Sequence, residues 1–567
     1  MEWSTACPDW SERIVRRESL VPPPLFPEEA ASALAVFDEL RVVDAAGSPR
    51  LGDSSRPWMR ELAAAVFGAY DPDGGRRLIQ EFFCCVAKKN GKSSLAAAIM
   101  LTALIRNWRK SGEFLIVAPT LEIANNAFYP ARDMVRADEE LSDLMHVQEH
   151  VRTITHRQTG AFLKVVAADN ESVGGKKAIG VLVDELWLFG KRPNAENMLR
   201  EAIGGLASRP EGFVIYLTTQ ADEPPAGVFR QKLQYARDVR DGRVMDKRFL
   251  PVLYEFPKAL LDAKAERDPA NFYVTNPNLG ASVDPEFLER ELQKAENAGE
   301  ESLRGFLAKH LNVEIGLALQ SNRWAGADYW EPQGTEGLTL EEVIRRSDVV
   351  TVGIDGGGLD DLLGFAVIGR DAATRDWLLW SKAWAHPVVL ERRKSEASRL
   401  RDFERDGDLV LVETIGDDVQ DVAEIVIQVN ASGKLDKIGV DPVGIGSVVD
   451  ALVSAGIEQD RIVGISQGWK MAGAIKTAER KLAEGALWHG GRPLMAWCVG
   501  NAKVEPKGNA IAITKQAAGT AKIDPLMALF NAVALMALNP GATGSVYDDL
   551  ARLRTEQDTV DEPLATT

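Results

Sequence analysis

The segment Val86-Ala-Lys-Lys-Asn-Gly-Lys-Ser93 joins an apolar run over 78–86 directly to the Ala-rich stretch Ser-Leu-Ala-Ala-Ala-Ile-Met over 94–100. A strand that enters a helix through Gly-Lys-Ser has the context of a phosphate-binding loop. Main-chain N–H groups at the helix start face an anion, the lysine reaches the β- and γ-phosphates, and the serine hydroxyl holds magnesium. On this reading Lys88, Lys89, Asn90, Gly91, Lys92, Ser93 and Ser94 form the nucleotide-binding loop, with Ser93 on the metal. Val86 stands where the usual pattern has its first glycine, and a Gly-Lys-Ser tripeptide by itself is equally compatible with a surface turn.

The second half of such a site comes later in the chain, in the expected order. Gly180-Val-Leu-Val-Asp184-Glu185 is an apolar strand ending in two carboxylates. That layout places Asp184 near the magnesium and Glu185 where it activates the attacking water. Thr218-Thr219-Gln220 closes the next apolar strand, where polar side chains sense a γ-phosphate. Acidic strand exits and Thr-rich turns are common, but their order and separation after the loop favour the nucleotide site. His146-Val-Gln-Glu149-His150 also fits the H-x-x-E-H pattern of a zinc protease. That pattern requires a continuous helix and a third ligand, and strand-like residues come within a few positions, so a chance match is the better reading.

Length and composition set the frame. At 567 residues the chain exceeds one ordinary core. Its 45% hydrophobic and 26% charged residues are those of a soluble globular protein. No run reaches the ~18 apolar residues of a membrane span, and the N-terminus has no apolar export signal. Four cysteines, with Cys84 and Cys85 adjacent in an apolar run, read as buried thiols. The net charge of −17 argues against a protein that coats DNA by bulk electrostatics, but not against an enzyme whose positive charge lies in a channel.

Strands are expected at 78–86, 114–118, 161–167, 180–184 and 213–218, alternating with helices as in a parallel α/β sheet. The expected organisation is an N-terminal segment over 1–54, a P-loop core over 55–250 and a helical lid over 251–320. After these come a linker over 321–347, a second α/β unit over 348–540 and a disordered polar tail over 541–567. The second unit opens with strands at 349–355, 362–369 and 376–384, close enough together for an antiparallel meander. Later strands are expected at 408–413, 437–441 and 461–466, and the last helix near 525–538.

Nuclease chemistry with two metals needs carboxylates converging from different elements. Asp355 ends the strand Val349–Asp355 and precedes three glycines, Asp441 ends Lys437–Asp441, and Asp524 opens the apolar helix Pro-Leu-Met-Ala-Leu-Phe. Asp360 and Asp361 lie just after the glycines and Glu413 ends another strand, Asp361 being a possible further metal ligand. Each has a plain structural role available: Asp524-Pro525 is a good helix start, and Asp284-Pro285 repeats the device. Jointly, a meander ending in Asp, a later strand ending in Asp and a last helix starting with Asp give the layout of a ribonuclease-H-like nuclease. Lys503, Lys507, Lys515 and Lys522 bracket the segment before Asp524 and are candidates either for DNA contact or for a solvated loop.

Taken together, these residues resemble the large subunit of tailed-bacteriophage terminases. The resemblance runs from about 55 to 540. It rests on VAKKNGKSS, IVAPTLEIANNAF (116–128), VLVDELW, LTTQ and YVTNPNLGASVDPEFLEREL (273–292) in the first half. In the second half it rests on VGIDGGGLDDLLGFAVIG, IGVDPVGIG, the stretch 465–502 and GTAKIDPLMALFNAV. It implies an α/β chain with an N-terminal P-loop (RecA/ASCE-like) ATPase domain and a C-terminal ribonuclease-H-like nuclease domain. The implied activities are ATP-driven packaging of double-stranded DNA and metal-dependent cleavage of concatemers. It further implies Lys92 and Ser93 on ATP and Mg2+, Glu185 as hydrolytic base, and Thr218, Thr219 and Gln220 as the coupling motif. Asp355, Asp441 and Asp524 are implied as nuclease ligands of Mg2+ or Mn2+. Implied partners are a portal protein, a small terminase subunit and further copies of the chain in a ring, in the cytoplasm of the infected bacterial host. Family members commonly carry an arginine in the phosphate loop, where this chain has Lys88 and Lys89, which lack the planar fork of arginine. A helicase or restriction-type translocase with a fused nuclease, and an inactive prophage-derived assembly protein, are the alternatives.

Overall fold

The structure, a computed structural model of the chain, describes residues 2–167, 177–192, 195–315, 324–393, 396–442, 446–508, 510–515 and 522–542. The tail expected over 541–567 therefore lies, beyond residue 542, outside the described residues. The chain divides into two compact units, Met1–Leu319 and Gln320–Thr567.

The first unit is built on strands β1 (Glu81–Cys85), β2 (Glu113–Ala118), β3 (Met145–Gln148), β4 (Thr153–His156), β5 (Phe162–Ala167), β6 (Ala178–Val183), β7 (Phe213–Thr218) and β8 (Phe249–Leu253). They order as β8-β1-β7-β6-β2-β5-β4-β3. From β8 to β5 every pairing is parallel, and β5, β4 and β3 close the edge as an antiparallel meander. Every residue of β6 and β7 is buried, because a parallel sheet is covered by helices on both faces. Three of its helices are α1 (Lys92–Ile105), α2 (Leu121–Arg136) and α3 (Gly227–Arg240). Strand β7, ending in Thr218, lies between the phosphate-loop strand β1 and the carboxylate strand β6. All three strands therefore deliver their polar ends to one edge.

One sequence reading holds here and one expectation fails. The H-x-x-E-H match does not sit on a helix: His146 is on β3, and Glu149 and His150 form a single 3-10 turn. Glu149 instead pairs with Arg132 at 3.1 Å and with Arg136 on α2. The lid expected to begin at 251 is no separate body, since that boundary cuts β8. Val252, Phe272, Val274, Leu288 and Leu311 share one apolar cluster with Leu95 and Ile116.

The second unit has strands β9 (Ser347–Gly356), β10 (Leu363–Asp371), β11 (Trp377–Ala385), β12 (Leu409–Leu411), β13 (Leu435–Val440), β14 (Ile462–Gly464) and β15 (Leu487–His489). Their order is β12-β11-β10-β9-β13-β14, with β15 also on β11. β9, β10 and β11 form the expected antiparallel meander, and β13 adds in parallel to β9. Helix α4 (Asp524–Met536) lies directly on this sheet. Glycines allow the approach: a Cβ on Gly353 would stand 1.9 Å from the Ala528 oxygen, and one on Gly364 2.5 Å from the Pro525 nitrogen. A hairpin, β16 (Ala502–Lys507) and β17 (Ala510–Lys515), precedes the helix where a solvated loop was one expectation.

The linker expected over 321–347 is, from residue 324 on, packed structure. It contains two 3-10 turns and a helix over Leu340–Arg346. Trp324, fully buried, meets Phe530 of α4 edge to face at 5.2 Å. Trp330 stacks on His489 at 3.9 Å. Tryptophans in a Gly- and Glu-rich stretch are here anchors that tie the segment to the sheet.

His489 is buried with both ring nitrogens matched to the neutral form. Nε2 donates to the Trp330 carbonyl at 2.8 Å and Nδ1 accepts from the Gly491 N–H at 3.1 Å. Burial pushes its pKa down to about 4. The unfolded chain takes up this proton near pH 6.5 and the folded chain only near pH 4. The contribution is thus complete above pH 6.5 and lost as pH falls toward 4, by about 3 kcal/mol at most. Denaturant unfolding between pH 7 and 4 checks this: His489→Gln flattens the dependence, and an unchanged slope assigns the acid loss to other groups.

Candidate active sites

In the first unit the loop from β1 reaches α1 through Lys89 and Gly91, both left-handed with φ of +73° and +74°. Gly91 is the residue before the first helical turn, which carries Lys92, Ser93 and Ser94. The Lys92 side chain is buried and donates to the main-chain oxygens of Val86 at 3.2 Å and Ala87 at 3.3 Å. Asn90 is fully buried and is gripped from the far side of the unit. Its amide donates to Asn276 Oδ1 at 2.8 Å and its Oδ1 accepts the Asn278 N–H at 3.0 Å. Asn278 Nδ2 donates to the Asn90 carbonyl at 3.1 Å, Ser282 to the Lys89 carbonyl at 2.7 Å, and the Lys88 N–H to the Lys309 carbonyl at 2.8 Å. Lys88 and Lys89 are exposed to solvent.

Asp184 follows β6 and is 2% exposed. One carboxylate oxygen accepts the Glu185 N–H at 3.0 Å, and the other is buried with no hydrogen-bond partner. Burial pushes its pKa up to about 7, the Glu185 charge adds to the rise, and the Lys92 ammonium opposes it. An orphaned carboxylate oxygen that feels the charge of the phosphate-loop lysine is an oxygen donor of the kind that fits magnesium. Glu185 has a left-handed backbone, φ +52°, and accepts the Trp187 indole N–H at 2.6 Å.

Thr218, Thr219 and Gln220 are all buried. Thr218 Oγ1 accepts the Trp187 main-chain N–H at 3.1 Å, and its carbonyl accepts the Val86 N–H at 3.1 Å. The Gln220 N–H donates to Asn312 at 2.8 Å and its side-chain amide to Glu255 at 3.2 Å. Glu255 is bound by Arg240 at 3.0 Å and Arg237 at 2.5 Å. This triplet thus touches the phosphate-loop strand through Thr218 and a buried ionic network through Gln220.

In the second unit Asp355, near the end of β9, and Asp441, just after β13, sit on neighbouring parallel strands, with Ile354 and Val440 in register just before them. Asp524 stands in the first turn of α4, after Ile523. This differs from Asp284, which caps its helix by accepting the Glu286 N–H at 3.1 Å. Gly356, at φ +90°, turns the chain beneath Asp524, and a Cβ there would fall 2.0 Å from the Leu362 oxygen and 3.4 Å from the Asp524 Cβ. Three carboxylates from three elements form a hard-oxygen donor set that suits Mg2+ or Mn2+. Among the described residues no three acidic, His or Cys side chains stand in ready-made ligating geometry.

Other expectations are redistributed. Asp361 pairs with Lys522, whose ammonium also donates to the Asp360 carbonyl at 2.8 Å. Lys522, 1% exposed, therefore braces the nuclease loop and is no surface contact for DNA. Lys503 is half-buried on β16, Lys507 pairs with Glu505 at 3.4 Å, and Lys515 ends β17. Glu413 is exposed and lies beyond β12, which stops at Leu411. Sequence reasoning misses Trp187, Glu255, Asn278 and Asn312. Their only local signal is polar residues within apolar stretches, as in Asn276-Pro-Asn278. The second unit is a mixed sheet with an antiparallel meander, so the chain after residue 348 does not build a second ATPase sheet of the helicase kind.

The profile of the family "Terminase large subunit, ATPase domain" matches residues 57–238, and that of "Terminase large subunit, endonuclease domain" matches residues 250–539. The terminase large subunit of Lactococcus phage p2 is 23% identical over 472 residues, covering 80% of this chain and 81% of that protein. That of Enterobacteria phage HK97 is 23% identical over 482 residues, covering 82% and 86%. The crystal structure of the HK97 bacteriophage large terminase aligns with a TM-score of 0.46 at 20% identity, covering 89% of this chain and 99% of that one. Among the described residues no helix is long and apolar enough to cross a membrane. The chain belongs to the terminase large subunit family, an ATPase domain followed by an endonuclease domain that act in DNA packaging and cleavage.

Proposed function

We propose that the chain drives double-stranded DNA into a procapsid by hydrolysing ATP at Lys92 and cuts concatemeric DNA at Asp355, Asp441 and Asp524. The observation that carries the first half is the buried Lys92 ammonium beside the orphaned oxygen of Asp184. In this reading the N–H groups at the start of α1 and the Lys92 ammonium hold the β- and γ-phosphates, while Ser93 and Asp184 hold Mg2+. Glu185 takes the proton from the attacking water, and Thr218, Thr219 and Gln220 register the γ-phosphate. At the second site the three aspartates hold Mg2+ or Mn2+, and Asp361, tied to Lys522, sets the position of the loop after β9. Divalent ions, when bound, neutralise phosphate charge at both sites and lower the pKa of a bound water at the second.

The protein partners in this reading are a portal protein, a small terminase subunit and further copies of the chain in a ring, in the host cytoplasm. The net charge of −17 confines DNA attraction to local basic groups, so a docked assembly, more than bulk electrostatics, holds the duplex.

The two activities separate by mutation. Lys92→Ala lowers DNA-stimulated ATP hydrolysis by roughly 100-fold or more and leaves nicking of supercoiled plasmid unchanged. Asp441→Ala abolishes nicking in Mg2+ or Mn2+ and leaves ATP hydrolysis unchanged. Wild-type ATP turnover by Lys92→Ala, or wild-type nicking by Asp441→Ala, removes that residue from its site. Asn278 fixes Asn90 of the loop. Asn278→Ala therefore weakens binding of a fluorescent ADP analogue by roughly 5- to 50-fold, the equivalent of about 1–2 kcal/mol of lost bracing, and equal affinity shows the loop to be held without it.

A further inference from the structure

The carboxylate of Glu185 is held by an indole. Trp187, 8% exposed, donates its ring N–H to Glu185 Oε2 at 2.6 Å and its main-chain N–H to Thr218 Oγ1 at 3.1 Å. Two ammonium groups lie over its ring, Lys309 at 4.3 Å and Lys191 at 5.2 Å from the centre. Both are ion-paired to Asp222, at 3.1 Å and 3.0 Å. The Lys309 carbonyl in turn accepts the N–H of Lys88 in the phosphate loop at 2.8 Å. One residue therefore meets the hydrolytic glutamate through its side chain and the coupling threonine through its main chain, and through Lys309 it is tied to the loop that holds the phosphates.

A buried indole N–H requires an acceptor, and the acceptor here is a carboxylate, which makes the bond charge-assisted and directional. Ring and carboxylate orient each other. The cations on the ring are attracted by its quadrupole, and Asp222 gathers both lysines onto the same ring. We propose that Trp187 is a positioning residue for ATP hydrolysis: its N–H fixes the Glu185 carboxylate for the attacking water, and the Lys309–Asp222–Lys191 clamp fixes the ring. The inference rests on Glu185 being the hydrolytic base.

Steady-state hydrolysis by the full chain, with and without DNA, tests it. Trp187→Phe keeps the ring and its lysines but loses the N–H. Its kcat falls roughly 10- to 100-fold, while KM for ATP and the affinity for a fluorescent ADP analogue stay within twofold. An unchanged kcat, or KM and affinity that move in step with kcat, overturns the proposal. Lys309→Met changes a partly exposed side chain, so the fold survives it. It lowers kcat a few-fold at constant KM, and no change overturns the clamp. Glu185→Gln is the control for the underlying reading, since wild-type turnover there refutes the base itself, whatever Trp187 does. In the Glu185→Gln background Trp187→Phe has no further effect on kcat, and additive losses separate the two residues and overturn the positioning role.

Discussion

The Lys92 ammonium is a buried cation whose hydrogen bonds run to two main-chain oxygens, Val86 and Ala87, and the first unit is arranged around that incomplete solvation. A buried charge without a full set of partners costs several kcal/mol. The carboxylate that faces it, Asp184, is itself driven toward the neutral form by burial and by Glu185. Neither group completes the other. The chain therefore folds with a positive pole at a helix start and a carboxylate near it, and in the proposed function a magnesium-bound triphosphate binds there. The cost of keeping this arrangement is met elsewhere: Asn90 is locked by Asn276 and Asn278, and the Lys88 N–H by Lys309. These bonds fix the backbone of the loop between β1 and α1.

The second unit meets the same constraint with the opposite sign. Asp355, Asp441 and Asp524 are carried by three separate elements, and contacts made by other residues fasten those elements together. The fastening is steric and local. Gly353 and Gly364 let α4 touch the sheet backbone, and Thr351 and Asn531 bond across that contact, at 3.0 Å to the Ala532 carbonyl and at 2.8 Å to the Ile354 carbonyl. The contact seats the first turn of α4, with Asp524, against the sheet backbone at Gly364, the register partner of Asp355. The Lys522 ammonium, two residues before Asp524, holds the loop bearing Asp361 on the same edge.

Much of this is legible in the sequence where a local pattern carries it. Continuous apolar runs mark β6 and β7, because strands buried on both faces leave no polar positions, and the carboxylates at the exits of β6 and β9 mark the sites. The parts that are not legible depend on contacts between distant residues. β8 is hidden because Pro251 stands in its middle, a residue that suits an edge strand, which β8 is, but not a central one. The β3–β4 hairpin is obscured by a chance metal motif. The segment from Trp324 reads as a linker because its Gly and Glu content outweighs two tryptophans whose partners, Phe530 and His489, lie far along the chain. Asn278 and Trp187 carry no signature of their own, since each acts through a partner that only the fold supplies.

The coupling triplet shows how such partners extend a site beyond its motif. Gln220 donates to Glu255, a carboxylate that burial alone would push up but that Arg237 and Arg240 hold below the usual range. Arg237 also bonds Glu314 at 2.6 Å, close to the end of the first unit, and Arg240 lies over the Trp10 ring at 3.8 Å. A network of this kind resists partial rearrangement: breaking one link strands a buried charge, at about 3–5 kcal/mol, so its members hold or shift together. Gln220 is thereby linked through Glu255 and its two arginines to the N-terminal segment at Trp10 and to the chain near Glu314.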